Sequence, residues 1–180
     1  MSALWCDLHP RLLSYLRVML AASDVEDAAS DVWLEVAVGL GRFDGGWDAF
    51  RGWVFTIARL RVIDARRRAR RRRTTALEQH DITRLLDARP DARRDADRAE
   101  LAAALGWLRR LPREQAEVLL LRVLADLSCE QVAEVIGKRS GAVRALQHRA
   151  VRRLREEMLD AGVTPEGTRA LWESDDALSA

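Results

Sequence analysis

Seven basic residues and no acidic one fall between Lys138 and Arg155. Counted at 100° per residue from Val143, Arg144, Ala145, His148, Arg149, Arg152 and Arg155 share one side of a helix. Val143, Leu146, Ala150 and Leu154 share the other. A guanidinium presents two parallel N–H donors, which match the edge of guanine in the major groove or two phosphate oxygens. The chemistry of this face is therefore contact with duplex DNA. A solvated amphipathic helix can also carry arginines outward, but no acid neutralises this face before Glu156.

What precedes the face makes the reading specific. Ser128-Cys129-Glu130-Gln131 has the form of a capping box, with a cap serine and a glutamine three residues on. Val132, Val135 and Ile136 supply the inward side of a short helix, and Gly137 supplies a turn. A second cap is expected at Ser140. A short capped helix, a glycine turn and a second helix form a helix-turn-helix. Cys129, at a helix start, reads as structural.

A second basic block lies upstream. Residues 61–73 carry a net +7, as do residues 138–155, and every other segment is negative, including −6 over 156–180. The overall +2 conceals this pattern. Two arginine-rich blocks imply a polyanion engaged at two places. Trp33, Phe43, Trp47, Phe50, Trp53 and Phe55 lie just ahead of the first block. Aromatic rings beside a basic track suit unpaired nucleic acid, whose bases stack and whose phosphates pair. At helical spacing, Trp33, Trp53 and Phe55 read as core. Phe43 and Trp47, in the glycine-bearing stretch 41–48, read as exposed and functional.

Other classes find little support. Cys6 and His9 form an isolated C-x-x-H, too sparse for a structural zinc site. No phosphate-binding glycine loop of the P-loop type occurs, and the acids of 74–100 have no rigid frame to pair them. No enzyme, metal or cofactor is expected. No stretch approaches the length of an apolar membrane span. The opening MSALWCDLHP lacks a basic region followed by an apolar run. With two isolated thiols, these features lead us to expect a cytoplasmic protein without membrane insertion.

The elements that must hold these groups are helices, so the expected fold class is all-α: two small helical domains joined by a flexible linker. Apolar periodicity predicts helices over 4–22, with Pro10 near the start of its main part, and from a cap at Ser23 or Asp24 to about Leu40. Gly39 and Gly41 are expected to end the latter. Then come a loop over 41–48 and a helix over 49–73. Residues 74–98, with Pro90 and alternating charge, read as linker. Helices follow at 99–110, 113–124, 128–136 and 140–159. Expected boundaries are 1–73, 74–98, 99–159 and an acidic tail, 160–180, in which Ala170–Trp172 could form a short helix. The tail reads either as a regulatory cover for a basic surface or as a solubilising segment.

The whole pattern resembles the bacterial sigma-70 family of RNA polymerase sigma factors, in its two-domain extracytoplasmic-function (ECF) form. Three stretches carry the resemblance. DVEDAASDVWLEVAVGLGRF (24–43) is similar to the family's region 2 helix, FRGWVFTIARLRVIDARRR (50–68) to its promoter-melting helix, and residues 111–156 to region 4. The resemblance implies a factor that binds core RNA polymerase and directs it to promoters by reading −35 and −10 elements. It implies that Asp24, Asp27, Asp31, Val32, Leu34 and Glu35 dock on the polymerase. It implies that Phe43, Asp44, Trp47, Arg51, Arg59, Arg61, Arg66 and Arg67 contact the −10 DNA as it opens. Ser140, Arg144, Ala145, His148, Arg149 and Arg152 would hold the duplex −35 element. The linker would thread toward the polymerase active site. An anti-sigma protein is a further partner the family suggests.

Three departures stand out: Ser30-Asp31 replaces the usual Gln-Glu, Leu60 replaces a frequent Asn, and Ala145-Leu146-Gln147-His148 replaces a common Ser-Arg-Leu-Ser. A stand-alone helix-turn-helix regulator is the alternative, but such proteins usually dimerise on palindromes, and no heptad or dedicated dimerisation helix is evident.

Overall fold

A computed structural model describes residues 2–73 and 92–163. Among them every regular element is helical. The N-terminal unit is built from α1 (Ser2–Met19), α2 (Val25–Gly39) and α3 (Trp47–Arg73). Leu8, Leu12 and Leu16 recur every four residues along α1 and all reach zero exposure. They meet Val32 and Val36 of α2 and Val54, Phe55 and Val62 of α3. Burying each large apolar side chain contributes about 1.5–3 kcal/mol. Tyr15 and Phe55 meet edge to face, centroids 5.6 Å apart.

Several local expectations shift. Pro10 lies inside α1, not near its start, because the helix already begins at Ser2. The Ser14 hydroxyl donates to the Pro10 carbonyl at 2.9 Å. A 3-10 turn, Ala22–Asp24, leads into α2, and Asp24 at the cap position makes no side-chain capping bond. Glu26 and Asp27 do occupy the first turn, where the helix dipole favours acids. Gly39 has φ −83°, so it is not a left-handed cap. Its role is a close approach: a Cβ there would sit 2.6 Å from Cζ2 of Trp53. Helix α3 begins at Trp47, so Trp47 and Asp48 are helical and the loop is shorter than expected.

The C-terminal unit comprises α4 (Ala92–Arg110), α5 (Arg113–Val123), α6 (Cys129–Ile136) and α7 (Ser140–Asp160). The helix expected from 99 begins seven residues earlier. Leu105, Leu108, Leu120, Leu121, Leu127, Val132, Val143 and Leu154 form its interior. The remainder of the expected linker, 74–91, and the tail beyond 163 lie outside the described residues, as do the readings placed on them.

The two units are not held apart. Helix α1 packs on α4 and α5, α3 packs on α6, and the apolar core runs continuously through both.

Candidate nucleic-acid interface

The helix-turn-helix is built as its sequence implies. Ser128 Oγ accepts from the Gln131 amide at 3.1 Å, and Gln131 Oε1 accepts from the Ser128 amide at 2.8 Å. Gly137 is left-handed, φ 69°, which a glycine adopts without a Cβ penalty. The Lys138 amide then reaches back to the Ala133 carbonyl at 2.9 Å. The second cap differs from expectation. Arg139 holds the cap position without a side-chain bond, and Ser140 is the first residue of α7.

Helix α7 divides as the wheel predicts. Val143, Leu146, Ala150 and Leu154 are buried, while Arg144, Ala145, His148, Arg149 and Arg152 are exposed. Gln147 joins the buried side, where its Oε1 accepts from Arg122 Nε at 3.2 Å and lies 3.6 Å from Cys129 Sγ. The cysteine is buried and packs the two helices of the motif together. This arginine face is not wholly without acid: Glu130 of α6 reaches Arg144, Oε1 to Nη2 at 2.7 Å.

The N-terminal site residues scatter more. Asp27, Asp31 and Leu34 line an exposed ridge of α2, and Asp24 is half-buried at its start. Val32 turns the other way, at 0% exposure, so its side chain packs the bundle and offers nothing to a docking partner. Glu35 pairs with Arg61 of α3, which joins a residue expected on polymerase to one expected on DNA. Val38, 68% exposed, extends the ridge and was missed; its signal was the four-residue step from Leu34.

Phe43 is half-buried rather than open. Its ring stacks on Trp53, centroids 5.0 Å apart at 19°, and meets Phe50 at 5.5 Å. Trp47 stacks on Phe50 at 5.9 Å and stays 38% exposed, so it is the most open ring of the cluster. Asp44 is exposed. Trp33 is half-buried in a second cluster, donating Nε1–H to His9 Nδ1 at 3.0 Å while Trp5 stacks on the imidazole.

Most of the arginines expected on the −10 DNA are engaged inside the protein. Arg51 is almost fully buried and bridges Asp48 at 2.6 Å and Asp126 at 2.7 Å. Its desolvation is outweighed by hydrogen bonds to these two acids, which hold its pKa above the usual value. Arg59 Nε lies 3.1 Å from Glu117 Oε1. Arg66 donates to the Met19 carbonyl at 3.2 Å, and burial lowers its pKa. Arg67 remains exposed, 3.7 Å from Asp64. Glu117 and Asp126, both in the C-terminal unit, escaped the sequence reading. An acid inside the apolar run 116–121 was a signal for Glu117; Asp126 had none, because its partner is 75 residues away.

Among the described residues no group of three or more potential ligands converges as a metal site, and no helix is long and apolar enough to cross a membrane.

Comparison with known proteins agrees with this architecture. The family model for Sigma-70 region 2 matches residues 4–72, and that for Sigma-70, region 4 matches residues 107–156. The ECF RNA polymerase sigma factor ShbA of Streptomyces griseus subsp. griseus is 35% identical over 159 residues, 82% of each chain. The ECF RNA polymerase sigma factor SigD of Mycobacterium tuberculosis is 33% identical over 161 residues, 86% of this chain and 75% of that one. The sigma factor RpoE, solved in complex with the anti-sigma factor NepR from Bartonella quintana, shares the fold. Its TM-score is 0.64 at 20% identity, over 84% of this chain and 92% of that one. CnrH, solved with the cytosolic domain of CnrY, gives 0.59 at 24% identity over 89% and 87%. The chain belongs to the sigma-70 family of RNA polymerase sigma factors, in its ECF group. It is a transcription initiation factor.

Proposed function

We propose that this factor divides promoter recognition between its two units. The exposed face of α7 reads the duplex −35 element with Arg144, Ala145, His148 and Arg149, while Ser140 and Arg152 hold backbone. The loop residues Phe43 and Asp44, with Trp47, take an unstacked base of the −10 element. Arg51, Arg59, Arg61, Arg66 and Arg67 hold its phosphates. The α2 ridge of Asp24, Asp27, Asp31, Leu34 and Glu35 docks on core RNA polymerase, and Val38 extends it.

The observation that carries this reading is the arginine face of α7, presented to solvent by a fully formed capping box and glycine turn. The work is done by binding and base extrusion, not by bond chemistry, so no catalytic residue is assigned. Its place of action is the cytoplasm, where the polymerase is. An anti-sigma protein is the expected restraining partner, to be sought by co-purification from the native host.

Mixing the purified chain with core polymerase tests the reading. The chain should co-elute with core and confer promoter-dependent binding. Tight promoter binding by the chain alone, with no association with core, would sink it.

A further inference from the structure

Arg51 and Arg59 lie on α3, eight residues apart and so just over two turns along the helix. Each meets a carboxylate supplied by the other unit. Asp126, in the turn between α5 and α6, takes Arg51 at 2.7 Å. Its backbone is left-handed, φ 51°, a conformation uncommon for a residue with a Cβ. Glu117, on α5, takes Arg59 at 3.1 Å. The Glu117 side chain is only 7% exposed, and the fully buried Tyr15 of α1 donates its hydroxyl to the same Oε1 at 3.2 Å. Two further bonds cross the seam, from Arg11 Nη1 to the Leu124 carbonyl at 3.4 Å and from Arg109 to the Arg17 carbonyl.

A carboxylate and a phosphate present the same paired oxygens to a guanidinium. We propose that the face made by Tyr15, Arg51 and Arg59 is one surface with two rival occupants. In the chain by itself it holds Glu117 and Asp126; once the units part, it holds phosphates of the unpaired promoter strand. This rests on reading Arg51 and Arg59 as −10 contacts. The arginine face of α7 is exposed in the same arrangement, as are Asp44, Trp47 and Arg67, so what is withheld is the part of the −10 surface that Arg51 and Arg59 supply. A buried ion pair gains little net stability over its desolvation cost, which suits a contact that must exchange. Strand affinity is then lowered by the fraction of molecules that are open.

The test is binding of a fluorescein-labelled single-stranded DNA 20-mer of mixed sequence to the full chain, without polymerase, at low salt. The double variant Glu117→Gln, Asp126→Asn keeps an acceptor for the Tyr15 hydroxyl and removes both charges. It should bind about tenfold tighter than the parent, and adding Arg59→Ala should remove most of that gain. The control Glu114→Gln, Glu134→Gln removes the same charge elsewhere on the C-terminal unit and should gain less. Asp126→Asn alone, on a side chain 74% exposed, gives the same direction should the double variant fold poorly.

Equal gains in double variant and control overturn the proposal, since net charge then suffices. No gain in the double variant, with Arg59→Ala weakening every background equally, overturns it and leaves the −10 role of Arg59 standing. Arg59→Ala without effect in any background removes that role, and the proposal with it.

Discussion

Arg144 of α7 and Glu130 of α6 pair across the helix-turn-helix, Nη2 to Oε1 at 2.7 Å. Both side chains are about three-fifths exposed, at 62% and 59%. Solvent screens a pair this exposed, so it adds little to stability. Hydrogen bonds from its own backbone amide and from Ser128 hold the Glu130 carboxyl below its usual range, so it stays charged. Its consequence is orientation: a guanidinium tethered on one side presents its remaining donors in a restricted direction.

Glu130→Gln should therefore leave the melting temperature nearly unchanged and tighten duplex binding, since an acid leaves the DNA face. It should also weaken base preference at the position Arg144 is proposed to read. Arg144→Ala should cost about 1–3 kcal/mol, confined to that position. Holoenzyme binding to a randomised −35 library measures both. A uniform loss across all sequences on Arg144→Ala would mean that it holds phosphate only.

Gly39 and Trp53 form a close contact that admits no Cβ. Gly39→Ala should displace the Trp53 indole, and with it the stacked Phe43. Overpacking of this kind costs about 1–3 kcal/mol, read from denaturant midpoints. Open-complex formation should slow, while −35 duplex binding holds. A variant with unchanged stability and unchanged opening would contradict the coupling of Gly39 to the aromatic cluster.

The His9 imidazole is held below its ordinary pKa by burial, with Arg17 acting in the same direction and Glu26 against. Its Nδ1 accepts from Trp33, which requires that nitrogen unprotonated. The unfolded chain binds the proton more readily, so the stabilisation is fully present above the ordinary histidine value of about 6.5. It is lost as the pH falls below that value through the folded pKa. Melting followed by tryptophan fluorescence should show stability falling from about pH 7 to about pH 5, and His9→Phe should flatten that slope. Parallel slopes for parent and variant would refute the assignment.

The sequence was most informative where a signal is local. The Ser128-Gln131 box, the Gly137 turn and the two sides of α7 all follow from spacing within one or two helical turns. Helix ends were less legible. Pro10, Gly39 and the start of α3 at Trp47 were each decided by packing between helices. The seam was not legible at all. Arg51 and Arg59 read as −10 DNA contacts, and their acid partners stayed hidden because Asp126 and Glu117 lie 75 and 58 residues away. The break in apolar periodicity at 74–98 marked the two domains, but nothing in it showed that one apolar core runs through both.

One chain is proposed to read two spaced elements on behalf of polymerase. Run-off transcription with core enzyme over a randomised promoter library tests it most directly. Transcripts should depend on the chain and arise from templates sharing two asymmetric elements at fixed spacing. Arg144→Ala should relax only the upstream element, and Trp47→Ala only the downstream one. Enrichment of a single palindromic element, or transcription that ignores the chain, would contradict it.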